Sequence, residues 1–297
     1  MAKCLSLTCL LYLLFIGSVV AANPWGKVSE PFRGEPSAIG SYANGCLSGG
    51  VALANVGEGF QVIRTTRNRY YGHADLVSFI EDYSLKTKLA GLGDLLIGDM
   101  SMPRGGNFTF GHRSHQIGLD VDIWLRQADK LLSPQEREAP QRQDVVNRKA
   151  FKVNENWSDA HQNMIYLAAI DKRVARIFVN PVIKQQLCDN RDPNSDWLQK
   201  VRPWWGHSSH IHVRLSCPEG NQLCEDQKQP PKGDGCDELS WWLEQMTAPK
   251  KVKDTSLTPD AKSKPQHKPK VKPKKIKPEQ CIPLLSSGLV QTADFIS

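Results

Sequence analysis

The stretch SHQIGLDVD, residues 114–122, places His115 seven residues ahead of Asp122, with Asp120 between them. A second stretch, GHSSHIHVRL at 206–215, crowds His207, His210 and His212 into six positions. Imidazoles and carboxylates brought together in this number are metal ligands or proton carriers. Two imidazoles and one carboxylate make a three-ligand set that leaves a zinc ion one open position for water. A closed structural zinc site would normally take four protein ligands and draw on cysteine. Five of the eight histidines fall in or just ahead of these two windows, with His112 two residues before the first. Surplus unligated imidazoles suit proton transfer, so the pattern points to catalysis. His73, His161 and His267 stand apart and read as ordinary polar residues with satisfied hydrogen bonds.

These side chains need elements that hold them. In GLDVDIWL, Leu119, Val121, Ile123 and Leu125 alternate with Asp120, Asp122 and Trp124, the period of a half-buried strand, so both aspartates share a face. In HIHVRL, Ile211, Val213 and Leu215 alternate with His210, His212 and Arg214, so His210 and His212 share a face too. If the two strands are neighbours in an antiparallel sheet, an imidazole and a carboxylate converge, joined by His115 from the preceding loop. Elsewhere, Leu76, Phe79, Ile80 and Tyr83 recur at helical spacing, and Asn180-Pro181 reads as cap and first turn of a helix through VIKQQL. GFQVIR, LLIGDM and RIFVN read as strands. The expected class is α+β: a small antiparallel sheet carrying the site, flanked by helices and long disulfide-tied loops. No internal repeat, glycine-rich phosphate loop or GxSxG elbow occurs.

The chain ends carry different information. Residues 1–21 or 1–22 combine Lys3, the apolar run LLYLLFIGSVV and small residues, the pattern of a cleaved secretory signal. The run falls short of the ~20 residues needed to span a bilayer, and no later segment spans one. Six cysteines remain after cleavage: Cys46, Cys188, Cys217, Cys224, Cys236 and Cys281. An even number in an exported chain reads as disulfides, and no CxxC pair supports a thiolate zinc site. The formal net charge of +7 is local, because residues 249–280 hold eleven lysines against Asp254, Asp260 and Glu279, leaving the remainder near neutral. That Lys/Pro-rich segment reads as disordered, a solubilising linker or an attraction to an anionic polymer. It has no aromatic residue on which bases could stack, which argues against specific nucleic-acid binding. The expected organisation is a signal peptide over 1–21, one domain carrying the zinc site over 22–248, the segment 249–280 and a C-terminal piece, 281–297.

SHQIGLDVD and HIH resemble the SxHxxGxxxD and HxH patterns of the metallopeptidases that include lysostaphin-type and D-alanyl-D-alanine enzymes. GHRSHQIGLDVDIW, FVNPVIKQQLC, WLQKVRPWWGHSSHIHVRLSCP and the cysteines of CEDQ..PPKGDGC are similar, within that group, to the penicillin-insensitive murein endopeptidase family. The likeness runs from about Trp25 to Trp242. It implies His115, Asp122 and His212 as ligands of a single zinc, His210 and His207 as candidates for the base, and His112 as a nearby polar partner. It also implies the pairs Cys46–Cys281, Cys188–Cys236 and Cys217–Cys224. Relatives can carry a further Asp and His for a second metal, but DVVNRKAFKVNENW, 144–157, offers no such pair.

Within that resemblance His210 takes the base role, and His207 is the alternative because the Ser208-Ser209 spacer lets it swing in. Asp120 reads as an acceptor that orients an imidazole. Trp204 and Trp205 read equally as groove lining or core. The expected activity is a periplasmic zinc peptidase that hydrolyses D-alanyl–meso-diaminopimelyl cross-links of peptidoglycan. The alternatives are a non-catalytic zinc-containing wall-binding protein and a metal-dependent nuclease, which lacks the carboxylate-rich two-metal set.

Overall fold

A computed structural model of the chain describes residues 23–248 and 275–286. The expectations for the leader and for 249–274 lie outside the described residues. A seven-stranded sheet organises the rest, in the spatial order Val201–Pro203, Val174–Val179, His210–Leu215, Asp120–Ala128, Asp94–Ile97, Phe60–Val62, Val56–Gly57. Neighbours are antiparallel except Val174–Val179 with Val201–Pro203 and Phe60–Val62 with Asp94–Ile97, which run parallel. The class is α+β, with a sheet larger than the small one expected and mixed in direction.

Period-two alternation sends Val121, Ile123, Ile211 and Val213 to one face, where they meet Phe79, Ile80 and Tyr83 of the helix Ala74–Leu89 and Met164 and Ile165 of the helix Asp159–Ala169. Fully burying an apolar side chain of this size contributes about 1.5–3 kcal/mol. The Tyr83 hydroxyl donates to the Met164 carbonyl at 2.7 Å, which joins the two helices without leaving a buried polar atom unpaired. Two of the isolated histidines are helix-start residues. His73 Nδ1 accepts from the Asp75 N–H at 3.2 Å, and His161 closes a capping box with Ser158. Asn180 caps the helix Pro181–Asp189 as its sequence position suggests, its Oδ1 accepting from the Val182 N–H at 3.0 Å.

The polar face of the central strands is not half-open. Asp120, Asp122, His212 and Arg214 are all buried, because a long irregular segment between Met102 and Leu119 lies across it. Gly118 makes that crossing close. Its φ is +73°, and a Cβ there would stand 2.8 Å from the His73 nitrogen.

Three disulfides, Cys46–Cys281, Cys188–Cys236 and Cys217–Cys224, hold the loops, in the pairs the resemblance implies. The first spans 235 residues and brings the C-terminal stretch onto the body. Ile276 accepts from Asn44 Nδ2 at 2.8 Å, and Lys277 Nζ donates to the Gly45 carbonyl at 2.6 Å and to Gln116 Oε1. The last residues of the Lys/Pro-rich segment thus dock beside Gln116, the neighbour of His115. Among the described residues no helix is long and apolar enough to cross a membrane. Cys281→Ser should lower the free energy of unfolding by roughly 2–5 kcal/mol. Chemical denaturation curves that coincide for the two proteins would show the docked stretch to be held without its bridge.

Candidate metal centre

Strand register decides which side chains meet. His212 lies directly opposite Asp122, Arg214 opposite Asp120, and His210 opposite Trp124. The loop ahead of the aspartate strand then drops His115 and His112 onto the same face. Asp122 is the centre of this group: its carboxylate lies 2.9 Å from His112 Nε2, 3.5 Å from His115 Nε2, 3.3 Å from His212 Nδ1 and 3.9 Å from His210 Nε2. One donor atom from each of His112, His115, Asp122 and His212 can be chosen so that all four fall within 4.8 Å of one another.

Asp120 sits behind that group and holds it. It is fully buried, and it accepts from Arg214 Nε at 2.7 Å, from Arg214 Nη2 at 3.1 Å and from the His115 backbone N–H at 2.9 Å. The last bond matters because His115 has φ +67°, a left-handed conformation that costs a non-glycine residue on the order of 1–3 kcal/mol. Phe108 stacks on the His115 ring at 5.6 Å, and Arg69 lies over Phe108 at 3.9 Å while pairing with Asp99 at 2.8 Å. The histidine loop is therefore anchored at its backbone and at its ring.

The second loop is anchored by a helix cap. The Asn180 N–H donates to the His207 carbonyl at 3.0 Å, and its side-chain amide donates to the Gly206 carbonyl at 2.6 Å. His207 is itself left-handed, with φ +49°. Ser208 Oγ donates to Asp144 at 2.9 Å, and the Ser209 carbonyl accepts from the Leu125 N–H at 3.0 Å. The serine spacer is tied at both residues, against the swinging movement expected of it.

Several buried polar atoms of the group have no protein hydrogen-bond partner. Both ring nitrogens of His115, Asp122 Oδ1, His210 Nε2 and His212 Nε2 are buried and make no hydrogen bond. His212 Nε2 is 3.1 Å from Asp120 Oδ1 without being aligned to donate to it. Buried polar atoms normally find partners, and these orphans belong to side chains of good metal-donor types gathered around Asp122, with His212 turning Nδ1 to that carboxylate and Nε2 to Asp120. The residues fit a cation with nitrogen and oxygen ligands.

Protonation preferences separate the imidazoles. Burial opposes charge on His212, yet Asp120 and Asp122 outweigh it and raise the ring to about 9. Burial also opposes charge on His112, where Asp122 again prevails and raises it. His210 is pushed down by burial, and Asp122 does not fully compensate. Burial, with His210 and His212 beside it, brings His207 down to about 3. His207 and His210 are thus neutral near neutral pH, with His207 a weaker proton acceptor than an ordinary imidazole. Burial works against ionised Asp122, but the surrounding histidines hold its carboxyl well below the usual carboxylate range.

A family model described as penicillin-insensitive murein endopeptidase matches residues 38–286. The chain belongs to that family. Among similar proteins, the penicillin-insensitive murein endopeptidase of Haemophilus influenzae is 45% identical over 266 residues, covering 87% of this chain and 93% of the relative. That of Escherichia coli is 46% identical over 260 residues, covering 86% and 95%. That of Salmonella paratyphi B is 47% identical over 256 residues, covering 84% and 93%.

In this family member His115, Asp122 and His212 converge, His210 lies at their edge, and His207 sits 4.9 Å ring to ring from His210. His112, read from the sequence as a polar partner, stands among the donors themselves. Its loop has no periodicity from which that position could be read. Arg214, Asn180 and Asp99 also went without a role in the site, because their partners come from distant segments. Trp204 and Trp205 are each about half exposed, so neither is core.

His115→Ala, Asp122→Ala and His212→Ala should each lose stoichiometric divalent metal, since each removes a donor from a small set. His112→Ala should weaken metal retention roughly 10–100-fold, whether it ligates or steadies Asp122. Full metal occupancy by elemental analysis in all four variants would refute the donor set. Asp120→Ala leaves Arg214 buried without its partner and should cost about 3–5 kcal/mol in a thermal or denaturant melt.

Proposed function

We propose that the chain is an exported, periplasmic zinc endopeptidase that hydrolyses D-alanyl–meso-diaminopimelyl cross-links between peptidoglycan stem peptides. The observation that carries the reading is the set of unpartnered buried donors on His115, Asp122 and His212, with His112 beside them, in a murein endopeptidase family member. The relatives' names supply the wall polymer as substrate, and the signal-like leader supplies the compartment. Under this reading residues 22–248 form the peptidase domain and 249–280 a basic connector to the disulfide-tied C-terminal segment.

His115, Asp122 and His212 would hold the zinc, with His112 a fourth donor or a support for Asp122. When bound, zinc supplies a Lewis acid that polarises a scissile carbonyl and brings the pKa of water towards neutrality. Asp120, beside His212 and bonded to the His115 backbone, orients two of the ligands. His210 Nε2 accepts a proton from the attacking water and returns it to the departing amine. His210 is suited to this because it is neutral, makes no hydrogen bond at Nε2 and stands 3.9 Å from the Asp122 carboxylate. His207, whose Nδ1 is engaged with the Trp205 carbonyl at 2.8 Å, is the alternative base.

Purified murein incubated with the protein should yield muropeptide monomers from dimers with glycan linkages intact. The activity should disappear with a zinc chelator and persist with penicillin. His210→Ala should keep its metal and lose about 10²–10⁴-fold in turnover. Dimers that survive incubation with zinc-loaded protein favour the non-catalytic wall-binding alternative, and cleaved glycan chains would overturn the peptide substrate.

A further inference from the structure

The rows of side chains that build the metal centre continue beyond it. Across the sheet, Asp122 faces His212, His212 faces Phe178, and Phe178 faces Arg202. One pleat along, Asp120 faces Arg214, which faces Arg176. Both rows point to the same side, so they end in a group of guanidiniums beside the histidines. A cavity of about 530 Å³ opens there, with His112, His207 and His212 at one end and Arg113, Arg176, Arg202 and Arg214 in its wall.

The charges in that wall do not cancel. Like charges directly opposite in an antiparallel pair are destabilising, yet Arg176 and Arg214 occupy such positions. Arg214 is neutralised by Asp120, and Arg202 pairs with Glu238. Arg176 donates to the Lys228 carbonyl, and among the described residues no carboxylate lies within ion-pair distance of it. Arg202 Nη1 is buried without a hydrogen bond. Burial, with Arg202 and Arg214 nearby, depresses the basicity of Arg176, the mark of crowded cations. Two other arginines are answered by carboxylates: Arg173 has Asp171 and Asp82, and Arg69 has Asp99. Of the four arginines in this wall, Arg214 has Asp120 behind it and Arg202 has Glu238, and among the described residues neither Arg176 nor Arg113 has a carboxylate in ion-pair distance.

We infer that this cavity is a carboxylate subsite, with Arg176 the specificity-determining residue for a free carboxylate adjoining the scissile amide. The substrate identity rests on the function proposed above. In a D-alanyl–meso-diaminopimelyl link, the amide nitrogen is borne on a carbon that also carries a free carboxylate. That group must lie within a few ångströms of the reacting carbonyl. Arg176 is one strand over and two residues along from His212, roughly 8 Å backbone to backbone at ordinary sheet spacings, a distance its side chain spans. The planar guanidinium donates two parallel hydrogen bonds to a carboxylate, a pairing an amide cannot reproduce. Trp204 and Trp242 supply apolar wall for the aliphatic part of the residue.

The test is a binding measurement that needs no turnover. The probe is the amine-side product, a stem tripeptide with meso-diaminopimelate, with the carboxyl beside its free amine either ionised or converted to the amide. Titration calorimetry on the full chain should give the acid at least tenfold tighter than the amide. Arg176→Gln should abolish that preference with melting temperature and metal content unchanged, and Arg176→Lys should restore part of it. Equal affinity of the unmodified protein for acid and amide would overturn the inference without reference to any variant. So would an Arg176→Gln protein that weakens both probes equally. Failure to cleave murein dimers would instead count against the proposed activity, because the acid preference is read independently of cleavage.

Discussion

The buried contact between Asp120 and Arg214 is the constraint on which the centre depends. A carboxylate with no exposed surface is costly to ionise unless strong donors surround it, and Asp120 has a two-point guanidinium contact and a backbone N–H. Those bonds hold the carboxyl far below the usual carboxylate range despite burial. One residue thereby registers two strands, pins the left-handed turn at His115 and stands behind the His212 ring. Asp122, two residues on, turns its carboxylate to the histidines instead, with His112 Nε2 at 2.9 Å from one oxygen and the other oxygen without a hydrogen bond.

Around this contact the fold holds strained or unsatisfied groups in place by ordinary means. His115 and His207 both adopt left-handed backbone, and each is held by hydrogen bonds from a residue that has another structural task. Asp120 pairs the strands, and Asn180 caps a helix. Arg69 and Phe108 brace the first loop, while Asp144 braces the second through Ser208. The rigidity keeps several buried nitrogens without protein partners instead of letting the loops relax to satisfy them, which suits a preorganised site.

The same sheet geometry links the candidate metal centre to the arginine wall. Because side chains alternate and strands stack about 4.8 Å apart, a row that begins with a metal donor runs on into the next strand's residue of the same face. His212 and Arg214 lie on one strand, two residues apart, and serve adjacent regions of one cleft. The basic C-terminal stretch approaches from another side, with Lys277 against Gln116, so the disulfide to Cys46 steadies the loop that bears His115.

Much of the centre was legible in the sequence because strand periodicity is local. Alternation alone put Asp120 with Asp122 and His210 with His212, and the Asn180-Pro181 cap and the Leu76–Tyr83 helix face follow from equally local rules. The resemblance carried the donor assignment and the disulfide pairs further than spacing could. What only the tertiary structure decided is everything that depends on which segments are neighbours. His112 sits in a loop with no period, so its place among the donors required the packing of Phe108 and Arg69. The covering of Asp120 and Asp122 depended on the irregular segment before Leu119, and the tied serine spacer on Asp144. The arginine wall joins Arg113 of the histidine loop to residues from three strands whose spatial order, unlike their alternation, is not written within any one of them.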